Sequence, residues 1–167
     1  MADLKAAAVL FKKKDTIMLA IGELAPDFTL PDEQGNLHTL AALRGQNPVV
    51  LIFYPGDQTP VCTMQLCEVR DKYEEFTAAG AVVFGINPSD TQSHKQFAQR
   101  YNLQFHLLVD KDKQVAQQYQ AVDGWGFLSI TKRAVYLIGL DGRIIFAKPG
   151  RPNPAEILAV LPAGTSA

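Results

Sequence analysis

Three runs of mainly apolar residues stand out along the chain, and polar or turn-forming residues bound each of them. They cover residues 48–54, 81–86 and 105–109 and are rich in β-branched and aromatic side chains. Apolar runs of this length are typical of strands that a sheet buries on both faces. The pattern therefore predicts three core strands.

Helical spacing follows the first of these runs. From Val61 onward, apolar residues recur every three to four positions until Gly80 ends the pattern, as glycine commonly does after a helix. Ser89 or Asp90 is suited to cap a second helix, because a short polar side chain accepts hydrogen bonds from free N–H groups there. Shorter helices are predicted over residues 114–119 and 155–161.

Two hairpins are predicted where turn-forming residues separate strand-like segments. Residues 27–40 form the first, around a central segment rich in proline, glycine and polar residues. Residues 134–147 form the second, around Asp141-Gly142, a dipeptide typical of two-residue hairpin turns.

The order of these elements predicts an α/β fold with a mixed central sheet, helices on both of its faces and an amino-terminal β-hairpin. The step from strand 48–54 to strand 81–86 is expected to be a right-handed parallel crossover. We expect the domain to cover residues 21–161. Residues 1–20 are an extension, either helical or frayed, and residues 162–167 a flexible tail.

Composition supports one compact domain and argues against nucleic-acid and membrane partners. The chain has 167 residues, of which 47% are hydrophobic and 20% charged, as in ordinary globular proteins. A formal net charge of −1 argues against a general nucleic-acid binder, which needs a basic surplus. No apolar run approaches the roughly 18 residues that span a bilayer, and no secretory signal pattern is present. We therefore expect a cytoplasmic protein without membrane or nucleic-acid partners.

The two cysteines, Cys62 and Cys67, carry the candidate chemistry. Two thiols cannot make a four-cysteine zinc site or a disulfide scaffold, so a close pair indicates either redox chemistry or coincidence. Cys62 follows strand 48–54 and lies in the first turn of the predicted helix. There the helix dipole and free N–H groups stabilise a thiolate. Cys62 is therefore predicted to be reactive.

The spacing of the two cysteines has a geometric consequence. On an intact helix, residues 62 and 67 differ by about 7.5 Å of rise and about 140° of rotation, which separates their Cα atoms by about 9 Å. A disulfide tolerates at most about 7 Å. We therefore expect the helix to be intact when the thiols are reduced and partly unwound when they are joined.

The residues around Cys62 resemble a known family. Pro55-x-x-x-Thr59-x-x-Cys62 is similar to the active-site motif of the peroxiredoxins, of the AhpC/TSA superfamily. The further pattern resembles the PrxQ, or bacterioferritin comigratory protein, subfamily over residues 21–161. It comprises Gly22-x-x-Ala25-Pro26-Asp27-Phe28, Phe53-Tyr54-Pro55, Cys62-Thr63-x-Gln65-x-Cys67, Arg70-Asp71 and an arginine, Arg133, just before a strand.

This resemblance implies a thiol peroxidase on a thioredoxin-like fold. It makes Cys62 the peroxidatic cysteine, which is oxidised by peroxide to a sulfenic acid, and Cys67 the resolving cysteine, which then forms a disulfide with it. Thr59 is expected to hold the peroxide, Arg133 to stabilise the thiolate and the developing negative charge, and Pro55 to shield the site from water.

The resemblance also implies the partners. The substrates are hydrogen peroxide or organic hydroperoxides, and the reductant is thioredoxin or a glutaredoxin-like donor. We expect no cofactor and no metal, because the Cys62–Cys67 disulfide carries the electrons. A resolving cysteine in the same chain removes the need for a dimer, so we expect a monomer.

Simpler alternatives remain open at this point. A protein thiol–disulfide oxidoreductase normally carries C-x-x-C rather than the four-residue gap seen here, and a non-enzymatic redox sensor on the same fold is a third alternative. Individual residues have ordinary roles available as well. Cys67 fits a core position, Arg133 a surface ion pair and Arg70 either a helix surface or support of the site. Trp125 and Phe127 either line the mouth of the site or pack. The three histidines, His38, His94 and His106, lie in no metal-binding spacing and are interpreted as ordinary residues.

Overall fold

A computed structural model of the chain describes residues 18–162. Residues 1–17 of the predicted extension and residues 163–167 of the predicted tail lie outside that range. The strands are β1 Thr29–Pro31, β2 Leu37–Thr39, β3 Val49–Phe53, β4 Val82–Asn87, β5 His106–Val109, β6 Val122–Asp123, β7 Ile130–Thr131, β8 Ala134–Ile138 and β9 Ile144–Pro149. The α-helices are α1 Pro60–Asp71, α2 Tyr73–Ala78, α3 Thr91–Arg100, α4 Gln114–Gln118 and α5 Pro154–Val160.

A mixed five-stranded sheet forms the centre of the domain, in the order β5-β4-β3-β8-β9. Strands β3, β4 and β5 are parallel to one another, whereas β8 runs antiparallel to both β3 and β9. All five residues of β3 are buried, which agrees with the unbroken apolar run in this part of the sequence. The predicted α/β class and mixed sheet are confirmed.

Helices cover both faces of this sheet. One apolar cluster includes Leu66 of α1, Phe76 of α2, Phe97 of α3 and Ile157 of α5, packed with Cys62 and alternate residues of the strands. A second cluster includes the α4 residues Val115 and Ala116 and the rings of Phe28, Tyr119 and Tyr136. Successive side chains of a buried strand therefore enter different clusters, as the pleat requires.

Two predicted elements differ in detail. The helix predicted to run without a break from Val61 to Gly80 is divided at Lys72, whose N–H bonds to the carbonyl of Val69 three residues back and tightens the turn. The predicted two-residue turn at Asp141-Gly142 is wrong. Gly139 N–H donates to the Arg143 carbonyl, which leaves a three-residue loop, and Gly142 ends that loop at φ +82°.

The amino-terminal hairpin is present as predicted, with Thr29 opposite Thr39. Its turn is held by Asp32, whose Oδ1 accepts hydrogen bonds from the N–H groups of Gln34 and Asn36 at 2.8 and 3.0 Å. This aspartate turn explains why a polar residue is buried between two short strands. Within residues 18–162, no helix combines the length and the apolar character needed to cross a bilayer.

Candidate active site

Cys62 lies where the central strand β3 passes through a short loop into α1. Thr59 is the N-cap residue of this helix and Pro60 occupies its first turn, where a missing N–H costs nothing. Cys62 is fully buried and follows two residues later, in the same turn. Its sulfur thus lies at the positive end of a 12-residue helix, as the sequence predicted.

Arg133 places a charged group against this sulfur. Its Nη2 donates a hydrogen bond to Cys62 Sγ at 3.4 Å, across 71 residues of sequence. The sheet creates this approach, since Ala134 at the start of β8 pairs with Phe53 at the end of β3. Arg133 Nε is also buried and has no hydrogen-bond partner among the described residues. The Arg133 guanidinium thus contacts the thiol through Nη2, and its Nε–H has no acceptor among the described residues.

Thr59 and Pro55 lie on the solvent side of the same loop. The Thr59 hydroxyl does not cap the helix and makes only a long hydrogen bond of 3.4 Å to the Gly56 carbonyl. It is therefore weakly held and free to bind another partner. Pro55 begins the loop and is exposed, so any shielding by its ring acts on the outer side of the site.

Cys67 is half-buried on α1 and forms no disulfide with Cys62. The helix is continuous from Pro60 to Asp71, so the structure has the intact helix that we predicted for two free thiols. Burial raises the pKa of the Cys67 thiol, although the charge of Arg70 opposes that effect. Cys62, by contrast, has the Arg133 guanidinium in direct contact.

A buried polar cluster lies behind the loop, and sequence analysis missed it. Asp57 Oδ2 lies 2.6 Å from His94 Nδ1 and accepts a hydrogen bond from the Ser93 hydroxyl at 2.8 Å. Its other oxygen, Oδ1, accepts hydrogen bonds from the Tyr54 hydroxyl at 2.8 Å and from Asn87 Nδ2 at 2.9 Å. One carboxylate therefore connects the loop to the end of β4 and to α3.

The hydrogen bonds of His94 define its charge. Its second ring nitrogen, Nε2, lies 3.0 Å from the carbonyl oxygen of Leu108, so both nitrogens face acceptors. Satisfying both requires a proton on each nitrogen, which makes Asp57 and His94 a buried ion pair. Burial alone would raise the pKa of Asp57, but the hydrogen bonds from His94, Tyr54 and Ser93 hold it below its usual range.

Comparison with known proteins gives the family. The model of the AhpC/TSA family matches residues 21–147. The chain belongs to the AhpC/TSA family.

Individual relatives of this AhpC/TSA chain agree with the predicted subfamily. It is 42% identical over 135 residues to the chloroplastic peroxiredoxin Q of Oryza sativa subsp. japonica, a match that covers 81% of the chain. It is 45% identical over 101 residues to the putative peroxiredoxin bcp of Coxiella burnetii, over 60% of the chain and 66% of that relative. The match spans 61% of the length of the rice protein, so the chain corresponds to part of that longer relative.

Solved structures confirm the thioredoxin-like fold of this family. Peroxidoxin BcpB from Mycobacterium tuberculosis superimposes with a TM-score of 0.80 at 31% identity, over 86% of this chain and 96% of that one. Peroxiredoxin Q of Xanthomonas campestris gives a TM-score of 0.75 at 25% identity, over 86% and 94% of the two chains.

Arg70, Trp125 and Phe127, which the sequence also singled out, make no hydrogen bond to Thr59 or Cys62. Arg70 Nη1 donates to the Tyr101 carbonyl at 2.7 Å and so joins α1 to the end of α3. Trp125 and Phe127 are 87% and 91% exposed, which excludes the packing role considered for them.

No sequence pattern links Asp57 to His94, which lie 37 residues apart in the chain. The only available clue was that loops after neighbouring parallel strands meet at one edge of a sheet.

Proposed function

We propose that the chain is a thiol peroxidase that reduces hydrogen peroxide and organic hydroperoxides, with Cys62 as the peroxidatic cysteine. The observation that supports this most directly is the 3.4 Å contact between Arg133 Nη2 and the buried Cys62 sulfur in the first turn of α1. A helix amino terminus and a guanidinium both favour the nucleophilic thiolate over the thiol.

In the first step, the Cys62 thiolate attacks the terminal oxygen of the peroxide. A sulfur–oxygen bond forms as the oxygen–oxygen bond breaks, which oxidises the sulfur to a sulfenic acid and releases water or an alcohol after protonation. We assign Arg133 the stabilisation of negative charge on the departing oxygen, and Thr59 the positioning of the peroxide through its weakly held hydroxyl.

In the second step, Cys67 attacks the Cys62 sulfenic acid. A sulfur–sulfur bond forms and water leaves, which requires part of α1 to unwind because intact helical spacing exceeds the reach of a disulfide. A thioredoxin or glutaredoxin-like dithiol then reduces the disulfide with two electrons. These sulfurs carry the whole electron transfer, so we propose that the reaction uses no cofactor.

We extend the proposal to assembly and location. A resolving cysteine within the same chain lets one subunit complete the cycle, which supports a monomer. We propose a cytoplasmic location, where thiol reductants keep such a pair reduced between turnovers. Size-exclusion chromatography with light scattering tests the first point, since a mass near 18.3 kDa identifies the single chain.

A coupled assay tests the function. Thioredoxin, its reductase and NADPH are mixed with peroxide and with wild type, Cys62→Ser or Cys67→Ser. We expect wild type to consume NADPH, Cys62→Ser to be inactive, and Cys67→Ser to oxidise once and then stall. Normal steady-state turnover in Cys62→Ser would contradict the assignment.

The coupled assay and an insulin-reduction assay together separate the alternative functions. A redox sensor would be oxidised by peroxide yet would not turn over with any dithiol donor. A protein thiol–disulfide oxidoreductase would reduce the disulfides of insulin and leave peroxide unchanged.

A further inference from the structure

Two histidines and two carboxylates meet where the amino-terminal hairpin crosses the edge of the central sheet. His38 belongs to β2, His106 begins the edge strand β5, and Asp32 and Glu33 follow β1. The His38 ring packs against Phe84 at 5.1 Å between ring centroids. Phe84 belongs to the apolar cluster on one face of the sheet and Cys62 to the cluster on the other, so this site is separate from the proposed active site.

The coordinating atoms of these side chains already converge. Asp32 Oδ2 lies 2.7 Å from His38 Nε2 and 3.4 Å from His106 Nδ1. His106 Nδ1 also lies 2.9 Å from Glu33 Oε1. The atoms of Asp32, His38 and His106 all lie within 4.8 Å of one another. Ligands about 2.0–2.2 Å from a tetrahedral zinc ion lie about 3.3–3.6 Å from one another. The 3.4 Å pair has this spacing, whereas the 2.7 Å hydrogen-bonded pair of Asp32 and His38 must open when an ion enters.

Each carboxylate is oriented by the backbone through its other oxygen. Asp32 Oδ1 accepts hydrogen bonds from the N–H groups of Gln34 and Asn36, which leaves Oδ2 facing the histidines. Glu33 Oε2 accepts the Leu107 N–H at 3.0 Å, which leaves Oε1 facing His106. Outer hydrogen bonds of this kind fix the ligands of protein metal sites.

We propose that Asp32, His38 and His106 bind a structural zinc ion that fastens the β1–β2 hairpin to β5. Two imidazoles with a carboxylate oxygen form a donor set that suits zinc better than magnesium or calcium, which prefer oxygen alone. The His38 and His106 side chains are 25% and 44% exposed, so the ion can enter from solvent. The zinc ion takes no part in the proposed peroxidase chemistry.

Metal titration of the full-length chain tests this site. We expect one zinc ion per chain and, at about 100 times the dissociation constant, a rise in Tm of about 5 °C or more that a chelator reverses. Extended X-ray absorption fine-structure spectroscopy of the zinc-loaded wild type is expected to show nitrogen and oxygen neighbours about 2.0–2.2 Å from the zinc. A sulfur shell at about 2.3 Å would assign the zinc to the cysteines and overturn the proposal.

Variants identify the ligands. In a Cys62→Ser/Cys67→Ser background, which removes the thiolates, cobalt binding is followed by its visible absorption. We expect His38→Gln and His106→Gln each to weaken binding at least tenfold. Glu74→Gln, which alters an exposed carboxylate on α2, is expected to leave it unchanged.

Two results would overturn the site without relying on folded variants. One is the absence of zinc binding and of any Tm rise in wild type. The other is unchanged cobalt affinity in the His38→Gln/His106→Gln double variant.

Discussion

Asp57 and His94 form an ion pair with side chains only 2% and 0% exposed, and their oxygen and nitrogen atoms lie 2.6 Å apart. Asp57 belongs to the loop between β3 and α1, two residues before Thr59, whereas His94 belongs to α3. The pair therefore holds the loop that presents Thr59 and Cys62 against a helix on the same face of the sheet. The pair acts by holding the loop in place, because neither side chain forms a hydrogen bond to the sulfur.

Removing one member of this pair is expected to cost both stability and rate. His94→Gln leaves a buried carboxylate without its counter-ion, which we expect to lower the unfolding free energy by about 3 kcal/mol or more. Loosening the loop is expected to slow Cys62 oxidation about 10- to 100-fold. Urea unfolding and stopped-flow oxidation by peroxide measure the two effects.

A double-mutant cycle separates the coupling between Asp57 and His94 from the loss of stability that each substitution causes by itself. Asp57→Asn combined with His94→Gln removes both charges, so the pair of substitutions is expected to cost less than the sum of the single ones. Additive losses would show that the two side chains act independently.

The pH dependence of stability is expected to follow Asp57. Its pKa is lowered in the folded protein, so its contribution is present above the unfolded value of 3.8 and is lost as the pH falls through the lower folded value. The difference in unfolding free energy between wild type and Asp57→Asn should therefore be constant above about pH 5 and shrink as the pH falls from about 4 towards 2. Urea unfolding across this range measures it. Exposed Glu74→Gln serves as the control, and a constant difference for Asp57→Asn would contradict the assignment.

The sequence predicted the sheet and the cysteine helix because both depend on local patterns. Unbroken apolar runs predicted β3 and β4, and the spacing after Pro60 placed Cys62 in the first helical turn. The polar clusters depend on tertiary contacts instead. Asp57 meets His94 from 37 residues away, and His38 meets His106 only because a hairpin crosses β5. The residues of each cluster are far apart in the sequence and follow no helical or strand period. The positions of the histidines therefore did not predict either cluster.

Arg133 is expected to matter more for peroxide than for a simple alkylating agent. Arg133→Gln removes the charge beside Cys62 Sγ and the donors available to the departing oxygen. We expect the rate of oxidation by hydrogen peroxide to fall about 100-fold, and alkylation by iodoacetamide to fall less, because no oxyanion leaves there. Arg133→Lys retains the charge, so its rate of oxidation by hydrogen peroxide should lie between those of wild type and Arg133→Gln. Equal losses for both reagents would limit Arg133 to an effect on the thiol alone.

Disulfide formation is expected to unwind part of α1. The helix is continuous across both cysteines in the structure with free thiols, and a disulfide cannot span its intact spacing. Amide hydrogen exchange in residues 62–71 should therefore be faster in the oxidised protein than in the reduced one. Peroxide-treated Cys67→Ser, which cannot close the disulfide, is the control. Identical protection in all three samples would rule out the unwinding.

Gly85 of β4 is expected to be required for the position of Tyr54. A Cβ atom at this residue would lie 2.7 Å from Leu107 Cδ2 and 3.1 Å from Tyr54 Cε1. Gly85→Ala must therefore push the end of the Leu107 side chain aside and shift the Tyr54 ring, whose hydroxyl donates to Asp57, by a few tenths of an ångström. We expect the unfolding free energy to fall by about 1–3 kcal/mol and Cys62 oxidation to slow. Gly56→Ala is the matched control, because its Cβ would lie 3.9 Å from the nearest atom, Thr59 Cγ2. Denaturant unfolding of both variants decides the point, since equal stability would mean that Tyr54 does not depend on the space at Gly85.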